Sequence, residues 1–134
     1  MSEQEIPPWL REQLSRLQQL QQNLQAILMQ KQQIEVEAME IEKAVEELKK
    51  LGEDEAVYKS AGPILIETKK EETIKELEEK KELSNTRLLV LGKQETRVKE
   101  NLKEVENKIN EMIRIGQTQR GPGFDSTGTS SQAK

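Results

Sequence analysis

A seven-residue apolar repeat runs through most of this chain and breaks off once, near the middle. Leu20, Ile27, Ile34, Ile41 and Leu48 recur at intervals of seven, and Leu10, Leu17, Leu24, Ala38 and Val45 form an interleaved series with Lys31 as its exception. Sustained over several heptads, this is the narrow stripe of a coiled-coil seam rather than the broad face of a globular helix. Pro7 and Pro8 offer the fixed φ that suits a first helical turn. Gly52, after Leu51, stands where a helix-ending glycine is expected. The first helix is therefore expected over residues 8–51, and it would be roughly 65 Å long at 1.5 Å per residue.

After the break the repeat resumes. Ile74, Leu88, Leu102 and Ile109 form one series, with Lys81 and Glu95 as polar interruptions. Leu77, Leu91, Val98, Val105 and Met112 form the other, with Ser84 as a small polar gap. Thr68-Lys69-Lys70-Glu71 fits a capping box, with Thr68 as N-cap, and Gly116 reads as the residue just past the helix end. The second helix is expected over 69–115. Two helices of equal length joined by a short linker should fold back as an antiparallel pair. Leu83, Leu89 and Val90 read as flanks of the seam, and the glutamines Gln18, Gln19, Gln21, Gln22, Gln25, Gln30, Gln32 and Gln33 as solvated surface. Gly92, inside the second helix, should cost ~1 kcal/mol relative to alanine. Residues 1–116 form one coiled-coil hairpin unit on this reading, and the Gly-, Ser-, Thr- and Gln-rich stretch 117–134 a disordered tail.

The break, residues 53–68, carries two short apolar runs, Ala56–Tyr58 and Ile64–Ile66, separated by Ser60-Ala61-Gly62-Pro63. Short β-branched and aromatic runs bounded by Gly and Pro predict a β-hairpin. Pro63 sits at the mouth of the second strand, where its missing N–H does least harm. A lone hairpin is marginal in water, and both of its edges are open to further pairing. Strands from other chains are therefore expected to complete it.

Composition narrows the chemistry. The chain has 134 residues, neither cysteine nor histidine, 34% charged and only 2% aromatic residues. Cys- or His-based nucleophilic dyads and imidazole or thiolate metal sites are excluded. The carboxylates fall on helix faces beside Lys and Arg at pairing distances, away from any pocket that would tune them for acid–base work. No Gly-rich phosphate loop is present, so neither an enzyme nor a cofactor is expected. The small net charge of −4 argues against a nucleic-acid partner held by phosphate neutralisation. No apolar run approaches a membrane span and no signal peptide is evident, so a soluble, cytoplasmic protein without membrane contact is expected.

What remains is surface. The antiparallel pairing brings both free helix ends together, with Ile6, Trp9, Leu10, Leu14 and Leu17 on one and Met112, Ile113 and Ile115 on the other. Leu14 and Ile113 lie off the seam. Two helices cannot cover all of these: the residues either close off the coiled-coil end or form an exposed apolar patch that binds a partner, with Met and Gln adding adaptability.

The order of heptad helix, Val57-Tyr58-Lys59 with Gly62-Pro63-Ile64-Leu65-Ile66, and a second equal heptad helix resembles the prefoldin family over roughly residues 6–115. The single hairpin, the Ile6-Pro7-Pro8 opening and the Gln-rich first helix are similar to archaeal β-type subunits. The resemblance implies a mostly α fold: a long antiparallel two-helix coiled coil with a β-hairpin at the turn. In a hexamer of two α and four β subunits, the hairpins would join between subunits into a β-barrel body. It further implies an ATP-independent chaperone that captures unfolded client proteins at the coiled-coil tips and delivers them to a group II chaperonin. Ile6, Trp9, Leu10, Leu14, Leu17, Ile109, Met112, Ile113 and Ile115 would then bind clients, and Val57, Tyr58, Ile64, Leu65 and Ile66 would form the subunit interface. The rival reading is a structural tether or scaffold that uses its seams alone, which leaves the hairpin and the apolar tips without a purpose.

Overall fold

The computed structural model describes residues 6–120. Helix α1 spans Pro8–Lys50, strand β1 Val57–Ala61, strand β2 Ile64–Thr68 and helix α2 Lys70–Arg120. The chain is mostly helical, with a single two-stranded antiparallel sheet among the described residues. Internal contacts divide it into two units, Ala26–Glu95 and Met1–Gln25 with Thr96–Lys134.

In the Ala26–Glu95 unit the heptad positions turn inward. Ile34, Val45 and Leu91 are buried and Ile27, Ala38, Ile41, Leu48, Ile74, Leu77 and Leu88 half-buried, whereas all the glutamates of α1 are exposed. Two of the polar interruptions meet each other: Lys31 Nζ lies 2.8 Å from Glu95 Oε1. Further along, the third, Lys81, reaches Glu42 Oε2 at 2.6 Å. As the residue number rises from 31 to 42 on α1 its partner falls from 95 to 81 on α2, so the helices run antiparallel. In the other unit the same periodicity holds. Val105 and Ile109 are buried, with Leu10, Leu17, Leu20, Leu24, Val98, Leu102 and Met112 half-buried. None of the described side chains is completely enclosed, because two helices share only one stripe and leave the rest of each to water.

The helix ends show how local chemistry sets the elements. Pro8 occupies the first helical position, and the Pro7 carbonyl accepts the Arg11 N–H at 3.0 Å, so the two prolines sit where their missing N–H groups are not needed. At the other end α1 stops at Lys50. Its terminal carbonyls are met by a tight bond from the Leu51 N–H to the Leu48 carbonyl (3.1 Å) and by Lys70 Nζ, which donates to the Leu51 carbonyl at 2.8 Å. A lysine ammonium at this end also matches the negative pole of the helix.

Three expectations are corrected here. Gly52 does not take the left-handed conformation of a helix-ending glycine; its N–H is instead bound by Glu55 Oε1 at 2.8 Å. Thr68 belongs to β2, and the first bond of α2 runs from the Thr73 N–H to the Lys69 carbonyl. The Thr68 hydroxyl meets Thr73 Oγ1 at 3.3 Å, in place of the expected reciprocal cap with Glu71. Gly116 does not end α2, which continues to Arg120. A glycine ends a helix by adopting positive φ, and among the described glycines only Gly62 does so. Residues 117–120, assigned to the tail, are thus helical in their backbone, and 121–134 lie outside the described residues.

Two outcomes follow. Gly92 is helical, and a Cβ there would meet nothing within 4 Å, so Gly92→Ala should raise unfolding stability by roughly 1 kcal/mol, read as a higher midpoint in thermal melts. The second concerns pH. Hydrogen bonding from Lys81, reinforced by its charge, holds the Glu42 carboxyl below its ordinary value, and the hydrogen bond to Glu95 holds Lys31 above its own. A depressed carboxyl stabilises above its unfolded value of about 4.3 and loses this as pH falls through the folded value. A raised lysine stabilises below its unfolded value of about 10.4 and loses this as pH rises through the folded value. Melting temperature should therefore be flat through neutrality and fall on both sides, and Glu42→Gln should make the acid limb shallower while leaving the alkaline limb in place.

Candidate functional site

The hairpin is built by a two-residue loop. Ala61 pairs with Ile64, and Gly62 between them has φ +63°. With a negative φ imposed on Pro63 by its ring, this is the sign pattern of a type II′ turn, whose twist suits an antiparallel ribbon. The register, Val57 opposite Thr68 through Ala61 opposite Ile64, sorts the side chains. Val57, Lys59, Ala61, Ile64, Ile66 and Thr68 share one face, and Tyr58, Ser60, Leu65 and Glu67 the other. Lys59 ties the first face to α2 through Glu76 Oε2 at 3.1 Å.

Of the five hairpin residues singled out from sequence, four are exposed: Tyr58, Ile64, Ile66 and, at 70%, Leu65. Val57 differs. It is only 7% exposed at the base of the ribbon, so it packs within its own chain and has little surface to offer another. The apolar residues lie on both faces of a sheet that is itself unpaired at both edges.

The second apolar surface lies in the unit formed by Met1–Gln25 and Thr96–Lys134. Trp9, Leu14, Ile113 and Ile115 are exposed, and Ile6, Leu10, Leu17 and Met112 half-buried. Ile109 is corrected: at 7% exposure it belongs to the seam and not to a surface. Trp9 and Leu14 flank the seam residue Leu10 on α1, as Ile113 and Ile115 flank Met112 on α2. Arg11 Nη2 holds the chain entry by donating to the Ile6 carbonyl at 3.4 Å.

Sequence reasoning missed a further apolar row. Leu28, Met29, Val36 and Met39 are exposed on α1, and Leu83, Leu89 and Val90, read as flanks of the seam, are exposed on α2. The signal was there, since none of the seven occupies a heptad position. Two open grooves flank the seam in the Ala26–Glu95 unit, one lined by Glu42, Glu46, Lys49, Glu78 and Lys81 and the other by Glu37, Glu40, Ile41, Leu83 and Arg87. Among the described residues no group of carboxylates is arranged to hold a metal ion, and no helix is long and apolar enough to cross a membrane.

Two long heptad helices around one exposed apolar hairpin match a known family, described as prefoldin subunit, over residues 11–115. The chain belongs to the prefoldin family. It is 43% identical to the prefoldin subunit beta of Caldivirga maquilingensis over 84% of this chain and 93% of that one. It is 41% identical to the prefoldin subunit beta of Archaeoglobus fulgidus over 81% and 94%. The crystal structure of the prefoldin beta subunit from Thermococcus strain KS-1 superposes with a TM-score of 0.74 at 38% identity, covering 81% of this chain and 96% of that chain. The chain is thus similar to archaeal prefoldin β subunits over its helices and hairpin alike, and membership implies a chaperone subunit that assembles with other prefoldin subunits. The matched region begins at residue 11, so Ile6, Trp9 and Leu10 lie outside it.

Proposed function

We propose that this chain is the β-type subunit of an ATP-independent holdase that works in the cytoplasm and captures unfolded polypeptides at its free helix ends. The observation that carries the reading is the exposure of Trp9, Leu14, Ile113 and Ile115 on two helices that no third layer covers among the described residues. A nonnative client exposes apolar segments of no fixed sequence, and such helix surfaces can grip them without directional bonds. Ile6, Leu10, Leu17 and Met112 extend the surface with their exposed portions, and Ile109 supports it from within the seam. Each contact is weak, but several tips holding one client raise the effective concentration for the next contact. Release then needs only successive loosening, with no nucleotide and no cofactor, and a group II chaperonin is the acceptor.

Assembly uses the hairpin. Tyr58, Ile64, Leu65 and Ile66 would be covered by strands of neighbouring subunits in a β-barrel body of two α and four β chains. Val57 would anchor the ribbon from inside its own chain. Open edges and apolar side chains on one ribbon are the combination that strand addition satisfies.

The test is dilution of a chemically denatured protein into buffer without ATP, with the chain and an α-type partner present. Light scattering should fall at a near-stoichiometric ratio of complex to client. The variant Trp9→Ser/Leu14→Ser/Ile113→Ser/Ile115→Ser changes exposed positions, where single substitutions cost within about 0.5 kcal/mol each. It should leave the complex intact by sedimentation and require roughly tenfold more complex for the same suppression, as loss of ~1.4 kcal/mol of binding would. Undiminished suppression sinks the tip assignment. Separately, Ile64→Asp/Ile66→Asp should dissolve the complex into smaller species that retain their helical signal. An intact complex would remove the hairpin from the interface.

A further inference from the structure

The seam carries a charge pair that a stability argument alone does not explain. Lys31 and Glu95 occupy heptad positions, lie 2.8 Å apart, and keep only 28% and 15% of their side chains exposed. Replacing such a pair by apolar residues is often neutral or stabilising, whereas removing one partner is costly. Polar residues in a coiled-coil seam are best attested as devices that choose partner and register.

The alternatives open to these two helices show what would be chosen. In a parallel, in-register pairing of α1 with α1 of another copy, Lys31 faces Lys31. In the same pairing of α2, Glu95 faces Glu95 and Lys81 faces Lys81. A slip of one heptad in the antiparallel pairing sets Lys31 opposite Leu88 or Leu102, and Glu95 opposite Leu24 or Ala38. In the observed pairing alone Lys31 meets Glu95, and Lys81 finds Glu42. The other seam positions are apolar apart from the neutral Ser84 and Gln13, and they discriminate poorly between these arrangements. An exchange of α2 between two copies would reproduce the same contacts. That arrangement is opposed by the short connector, which keeps the chain's own α2 at high effective concentration.

We propose that Lys31 and Glu95 act as a pairing lock that sets α1 against an α2 in this register, and not against the α1 of another copy, while the short connector makes that α2 the chain's own. The inference is independent of client binding.

The chain contains no cysteine, so Glu37→Cys and Arg87→Cys, which line one groove beside the seam, can carry two spin labels as the only thiols. Labelled full-length chain is refolded together with a large excess of unlabelled chain of the same seam, and the label-to-label distance is read by pulsed electron resonance. With the native seam, a single short distance should keep its full population at every dilution. With Lys31→Leu/Glu95→Leu, part of the short-distance population should give way to longer distances at every dilution, as α1 pairs with the α1 of another copy, while the melting temperature is equal or higher. With the reversed pair Lys31→Glu/Glu95→Lys, it should be retained. A leucine variant that keeps its short distance at full dilution overturns the lock. So does one that melts below the native chain, because the pair would then be a stabilising contact and not a selective one.

Discussion

Two helices have one mutual face, and every larger feature of this chain follows from that limit. A seam of one residue in three or four uses up the surface that α1 and α2 can hide from each other. None of the described side chains is completely enclosed, so a large side chain off the seam stays wet unless something else covers it. In a protein with a third layer, Leu14 or Leu65 would be core. Here they are surface by geometry. The structure is held by a long series of modest contacts, some buried and most half-buried, and not by a central core.

The same limit explains why most of the fold was legible in the sequence. Heptad spacing maps onto burial residue by residue: Ile34, Val45, Leu91, Val105 and Ile109 were named from the repeat and are buried. The hairpin was legible because Gly62-Pro63 between short apolar runs has few other solutions. What escaped were the ends, where one side chain decides. Gly116 permits a helix end without requiring one, and α2 runs through it. Thr68 satisfies a cap pattern but is spent in β2, while Lys70 reaches across to cap α1, a contact invisible to any local rule. The surfaces were legible only in part. Val57 and Ile109 were given surface roles by the family resemblance, which carries no depth, and Leu28, Met29, Val36 and Met39 were passed over because single apolar residues on a charged helix carry little weight.

The polar seam residues connect these levels. Read one helix at a time, Lys31, Lys81 and Glu95 are blemishes in a repeat. In the structure two of them are each other's partners and the third pairs across to Glu42. A defect on one helix that is answered by a complementary defect on the other is information about pairing. An uninterrupted apolar seam would hold as well and would say nothing about which helix it belongs to.

The apolar surfaces of the hairpin and of the free helix ends differ in backbone chemistry, and that difference bears on the separate roles proposed for them. At the hairpin, apolar side chains accompany rows of unpaired N–H and C=O groups, whose satisfaction demands a strand at fixed spacing and direction. Such a surface accepts few partners, as an assembly interface requires. At the free helix ends the backbone is already satisfied within α1 and α2, so only side chains are offered. Apolar contact without directional bonds is tolerant of sequence and geometry, which is what binding of unrelated unfolded chains requires. One chain can thus present a selective apolar surface and a permissive one without confusing them, because the backbone, rather than hydrophobicity, separates the two.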